Sequence, residues 1–152
     1  MKIVTVPAAV LTKKLSPVSP ADLKTGVHDE LIAQMRKDMV AHNGIGLAAN
    51  QVGRDIALFV IDAELAAEHG VSDVYANPEI TSYAKETDEF EEGCLSIPGF
   101  WTQVARSKKI MFKALDGTGT KVKFRARGML ARVLQHETDH LNGMTIKQRT
   151  HS

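Results

Sequence analysis

Residues 136–140 read His-Glu-Thr-Asp-His. Two imidazoles four positions apart can serve one ion only if the backbone between them is helical, because only then do positions i and i+4 stand on one face. The feature therefore demands a helix late in the chain, with the rest of the fold built around it. The flanks agree. From Gly128 to Leu141 the apolar residues Met129, Val133, Leu134 and Leu141 keep helical spacing, and Asn142-Gly143 is a stop. Glu137 stands about 100° round such a helix from His136, so it reaches a water on the metal rather than the metal. An ion that lowers the pKa of water and a carboxylate that takes its proton are the two parts of metal-assisted hydrolysis. A helix with a merely polar outer face could carry these residue types. Two histidines on one face beside a glutamate are costly to explain by packing alone.

Hydrolytic metal sites keep about three protein ligands and one open position. His28, His42, His69 and His151 lie in contexts that suggest solvated or capping residues. Cys94 is the better third ligand. It follows Glu92-Gly93, where glycine lets the backbone come close to a metal, and a thiolate binds late first-row metals strongly. As the single cysteine it has no disulfide partner within the chain, which suits a reducing compartment. A lone cysteine is more commonly a buried inert thiol, so these residues alone leave it a candidate.

The 152 residues fit one domain, 1–152, with a sizeable core. A formal charge of +1, no basic tract, and aromatics not interleaved with Lys and Arg argue against nucleic acid and membrane surfaces as partners. The longest apolar runs, such as Ile56 to Ile61, are far too short to span a bilayer. The N-terminus lacks the long apolar stretch of a secretory signal, and a cytoplasmic protein is expected.

Along the chain, residues 1–11 read as a short strand or extended arm and 12–25 as a loop. Helical spacing runs from about Thr25 to His42, a strand covers 56–61, and 62–70 is a turn or short helix. Val74 to Ser82, broken by Asn77-Pro78, reads as an extended edge. The acidic stretch KETDEFEE leads into GCLSIPG at 93–99. Thr102–Val104, Lys109–Leu115 and Lys121–Arg125 are strands, the last two joined by a hairpin turn at Asp116-Gly117. Strands gathered before a late helix indicate an α+β fold.

Three segments together carry a resemblance. GIGLAANQ (44–51), EGCLS (92–96) and QHETDH (135–140) stand in the order and spacing of the peptide deformylase family, and VPAAVL near the N-terminus and HLNG at 140–143 extend the likeness. The chain resembles that family over most of its length. The resemblance implies antiparallel β-sheets around a central HExxH metal-binding helix, with a C-terminal helix absent or very short. It implies one divalent metal ion on Cys94, His136 and His140, with Fe2+ first and Zn2+, Ni2+ or Co2+ as substitutes. Glu137 would be the general acid and base, while the Gln51 amide and the backbone N–H of Leu95 would stabilise the oxyanion. Ile45, Gly46, Phe90, Gly93, Met129 and Val133 would bind substrate. The implied reaction removes the N-formyl group from the initiator formyl-methionine of nascent peptides. Formamide hydrolysis builds charge on the former carbonyl oxygen, where preorganised donors count most.

Further expectations concern the surroundings. Arg106 should pair with Glu92 or Asp139 and orient the site. Arg132 should point elsewhere, as a surface or supporting charge, and Phe100 and Trp101 either edge the groove or pack on the sheet. The tail KQRTHS offers no long helix for docking on the ribosome, so ribosome contact would take another route. Trimmed members of this kind occur among phage-encoded enzymes, which would act in the host cytoplasm. A monomer is expected. Gly44, Gly46 and Ala49 fit a dinucleotide-binding pattern, but they follow a helix and precede a strand, the reverse of its context. An HExxH peptidase of another type would not explain GIGLAANQ or EGCLS. An inactive homologue acting as a binding protein would not need every site position filled.

Overall fold

A computed structural model of the chain describes residues 2–149. Its helices are α1 (Pro20–Lys24), α2 (Asp29–Ala41), α3 (Ala63–Glu68) and α4 (Gly128–Leu141). Its strands are β1 (Gly46–Ala48), β2 (Leu58–Ile61), β3 (Val74–Tyr83), β4 (Thr87–Cys94), β5 (Ile97–Ser107), β6 (Lys109–Asp116) and β7 (Lys121–Arg127). Five strands make one antiparallel sheet in the order β1-β2-β3-β6-β7, and β4 and β5 form a separate hairpin. This is the expected α+β architecture.

The apolar run of β2 shows why the sheet sits where it does. Phe59 and Ile61 point into a core with Leu130 and Leu134 of α4, while Leu58 and Val60 point the other way, onto Met35 and Met39 of α2. A strand buried on both faces must be apolar throughout rather than alternating. Phe59, Tyr75, Phe112 and Phe124 fill the α4 side with tilted and edge-on ring pairs. The helix carrying the His-Glu motif is thus clamped against the middle of the sheet.

Several elements differ from the sequence reading. The stretch expected as a loop contains α1, which Pro20 opens at a position where its missing N–H costs nothing. Helix α2 begins at Asp29 rather than near Thr25, after a break at Gly26 with φ +81°. Strand β3 is interior, not an edge. Asn77-Pro78 is tolerated because the register slips between Ala76 and Glu79, a bulge where no ladder donor is needed. Asn77, at φ +52°, ties the bulge to Val18 through two bonds of 2.8 Å. Most of the acidic stretch, from Thr87 on, is itself part of β4, a mostly exposed strand; charged residues hide strand propensity. Residues 2–8 form an extended arm, pinned by Val4 N–H to the Gln51 carbonyl (2.6 Å) and Val6 N–H to that of Ser96 (2.9 Å).

The expectation of an absent or very short C-terminal helix needs correction. The last α-helix of the described residues is α4 itself, fourteen residues long, followed by one 3-10 turn at Ile146–Arg149. It ends as the sequence foretold. Gly143, at φ +78°, donates to the His140 carbonyl (3.0 Å) and Met144 to that of Asp139 (2.9 Å), the paired bonds of a Schellman stop.

Candidate metal centre and cleft

Two elements bring the donor atoms together. Helix α4 presents His136 and His140 one turn apart, and Cys94 is the last residue of β4, just before the two-residue turn Leu95-Ser96. The Cys94 Sγ lies 3.3 Å from His140 Nε2, which lies 3.2 Å from His136 Nε2. In a tetrahedral site with ordinary Zn–N and Zn–S bond lengths, neighbouring donors sit about 3.3–3.6 Å apart. The three residues therefore fit a late first-row divalent ion, by donor chemistry and by spacing. No other group of three His, Cys, Asp or Glu among the described residues does so.

His136 is aimed by its other nitrogen, which meets Glu92 Oε1 at 2.9 Å. Glu92 is a hub. Arg106 grips it through Nε (2.8 Å) and Nη2 (3.0 Å), and reaches Asp139 of α4 through Nη1 (2.8 Å). Both expected partners of Arg106 are thus engaged at once. Arg132 does not point away. It is buried, donates to Glu92 Oε2 and to the carbonyls of Asp88 (2.7 Å) and Val104 (3.2 Å), and lies 4.9 Å above the Phe90 ring. Burial pushes the Glu92 carboxyl up, but its bonds to His136 and Arg106 prevail and hold it at about 2. Burial opposes charge on His136 as well; Cys94, Glu92 and Glu137 override it and raise that imidazole to about 10 without a metal. A metal ligand must give up this proton, so loading the site releases protons.

Glu137 stands inside the site. Its Oε2 is 3.9 Å from His136 Nε2, and its Oε1 is buried with no hydrogen-bond partner among the described residues. Burial pushes this carboxyl up to about 7, against the pull of His136 and Arg106. Gly46 lies directly against it: a Cβ there would sit 2.5 Å from Oε2.

Gln51 follows β1 on a 3-10 turn. Its Oε1 accepts from the Ala48 N–H (2.9 Å), which fixes the amide so that Nε2 faces Cys94 Sγ (3.5 Å) and Ser96 Oγ (3.2 Å). Leu95 heads the turn beside Cys94 and lines the cleft.

The cleft has a volume of about 660 Å3. Ile45, Gly46, Phe90, Gly93, Met129 and Val133 all line it, as do Phe100 and Trp101. Phe90, Met129 and Ile45 are about half exposed, and Trp101 is 64% exposed, so the apolar wall opens to solvent. Trp101 stacks over Gly93, where a Cβ would come within 2.6 Å of the ring. Every residue selected from the sequence is therefore near this cleft.

Sequence reasoning missed two neighbours. Ser96 shares the Gln51 amide, and Asn50 bonds the His140 carbonyl (2.8 Å). Both lie inside the quoted motifs, which was a usable signal. Arg132, expected as a surface or supporting charge, is a supporting one that joins the Glu92 hub.

The polypeptide deformylase family model matches residues 1–152. A peptide deformylase of Thermodesulfovibrio yellowstonii is 42% identical over 140 residues, covering 92% of this chain and 82% of that protein. One from Dictyoglomus thermophilum is 44% identical over 125 residues, 80% of this chain and 78% of the relative. The crystal structure of peptide deformylase from Thermotoga maritima superposes with a TM-score of 0.88 at 36% identity, covering 99% of this chain and 97% of that one. The actinonin-bound class I type b enzyme from Acinetobacter baumannii gives 0.90 at 31% identity, covering 99% and 98%. By whole-length match, by sequence identity and by fold, the chain belongs to the polypeptide deformylase family.

Proposed function

We propose that residues 1–152 act as one catalytic domain, a metal-dependent amidohydrolase that removes the N-formyl group from the initiator formyl-methionine of nascent polypeptides and releases formate. The observation that carries this is the convergence of Cys94, His136 and His140 beside a buried Glu137 oxygen that has no partner among the described residues, at the base of an apolar cleft.

Cys94, His136 and His140 hold the ion, with Fe2+ as the native metal. A divalent ion there supplies Lewis-acid activation of water near neutral pH. Glu137 takes the proton of the attacking water at Oε1 and returns it to the departing amine, so the C–N bond breaks to give formate and a free amino terminus. The Gln51 Nε2 and the Leu95 N–H donate to the oxygen on which charge builds. Phe90, Met129, Val133 and Ile45 receive the methionine side chain, whose flexible thioether suits an irregular apolar wall. Gly46 and Gly93 let the peptide backbone lie close. The enzyme works as a monomer in the compartment where chains are made. No helix among the described residues is long and apolar enough to cross a membrane.

The test is formate release from formyl-Met-Ala-Ser by protein purified anaerobically and loaded with Fe2+ or Ni2+. Turnover that disappears on chelation and returns with metal is expected. No turnover in metal-loaded, folded protein would overturn the reading.

A further inference from the structure

The two walls of the cleft come from different sheets. Gln51 follows β1 of the five-stranded sheet, and Ser96 lies in the turn of the separate β4–β5 hairpin. Three hydrogen bonds nevertheless tie these two residues together. The extended arm donates from alternate residues, Val4 N–H to the Gln51 carbonyl (2.6 Å) and Val6 N–H to that of Ser96 (2.9 Å), so one short segment spans both walls. Val6 also packs with Ile97 and Val104 of β5, which seats the arm on the hairpin. Between the same two residues, Gln51 Nε2 lies 3.2 Å from Ser96 Oγ.

A neighbour settles the direction of that side-chain bond. Gln51 Oε1 accepts from the Ala48 N–H (2.9 Å), so Nε2 is the donor end of the amide and the Ser96 hydroxyl oxygen accepts. Serine in a tight turn commonly bonds its own turn backbone. Among the described residues this hydroxyl meets the Gln51 amide instead and no backbone group. Ser96 is fully buried and Gln51 is 2% exposed, so a lost bond is not replaced by solvent. An amide is planar and carries two hydrogens on its nitrogen. With Oε1 held by Ala48 and one hydrogen held by Ser96, the other has no freedom of direction left. It faces Cys94 Sγ at 3.5 Å, on the side of His136 and His140. Sulfur is a weak acceptor, so this hydrogen is readily given up to a stronger one.

We infer that Ser96 is a positioning residue for the proposed hydrolysis: its hydroxyl fixes one hydrogen of the Gln51 amide, so that the other is already aimed at the oxygen on which charge builds. The arm keeps Ser96 at the distance this needs. Ser96 is not among the residues lining the cleft, and it acts through Gln51. A donor that must first rotate into place loses part of its effect on the transition state, whereas one held beforehand keeps it. The inference rests on the deformylase reading, since an aimed donor matters only where a carbonyl oxygen gains charge.

The experiment compares the metal-loaded parent with Ser96→Ala, Gln51→Ala and the double variant on formyl-Met-Ala-Ser. Ser96→Ala should lower kcat by about 10- to 100-fold, short of the about 10^2- to 10^3-fold of losing a donor outright. KM should stay within about twofold and metal content should not change. In the Gln51→Ala background the same change should have no further effect, because a residue acting through Gln51 loses its influence with it. Hydrogen exchange of the Gln51 side-chain amide, followed by NMR in Zn2+-loaded protein, gives a readout apart from turnover. Those hydrogens should be protected in the parent and exchange roughly tenfold or more faster in Ser96→Ala. An undiminished kcat in Ser96→Ala, losses that multiply in the double variant, or a Gln51 amide that exchanges freely in the parent would each overturn the inference and leave the deformylase reading standing. A folded, metal-loaded parent with no turnover would overturn that reading and this role with it.

Discussion

Glu137 stands at the base of the cleft, and in the proposed reaction its surroundings suit it to carry a proton. It is 2% exposed, raised to about 7 by burial, and one of its oxygens has no partner among the described residues. Its replacement by Gln keeps shape and removes basicity. Glu137→Gln should retain the metal, measured by elemental analysis, while turnover falls by about 10^2- to 10^4-fold. Gly46 is needed for a different reason: no side chain fits between its backbone and the Glu137 carboxylate. Gly46→Ala should displace that carboxylate and lower kcat on the order of 100-fold, the effect of a misplacement of about 1 Å, with metal content unchanged. Retained kcat in that variant would show that Glu137 has room to move.

At the scale of elements, α4 and the β4–β5 hairpin must meet in one alignment. The helix is fixed at its C-terminal end, where Gly143 turns the chain at φ +78° and a Cβ would meet the backbone of Thr12 and Lys13 at 2.7 Å. Gly143→Ala combines left-handed strain with that collision. A loss of about 1–3 kcal/mol is expected, read as a drop in melting temperature of roughly 2–4 °C per kcal/mol for a domain of this size. An unchanged melt would mean that the two segments can separate freely. The hairpin was only half legible from sequence. Its charged strand β4 gave no alternation to read, and its return strand β5 spans eleven residues where three were expected. A two-stranded ribbon open to water needs little apolar patterning, so it leaves little trace.

Across the whole molecule, the Glu92 hub joins β4, β5 and α4 through Arg106, Arg132 and His136. Removing one member of a buried charge network strands the others. Arg106→Ala should cost about 3–5 kcal/mol and weaken metal retention by about 10- to 100-fold; equilibrium unfolding and a chelator competition would measure the two. Glu92 titrates at about 2 when folded, below its value of about 4.3 in an unfolded chain. Its stabilisation is therefore complete above about pH 4.3 and is lost as the pH falls toward about 2. Metal-free protein should lose stability over that window, and Glu92→Gln should show a shallower slope; parallel slopes would remove Glu92 as a source. The sequence by itself determined the late helix, its stop at Gly143, the candidate donor residues and the three motifs, because each of these is written in local spacing. Tertiary structure decided the rest: that β3 is interior and that Arg132 turns inward to Glu92. Those outcomes depend on which strand lies beside which, and pairing between distant segments is set by the packing of the whole core. The His-Glu-Thr-Asp-His segment belongs to both kinds. Its spacing fixed the helix, but only the fold brought Cys94 to within 3.3 Å of His140.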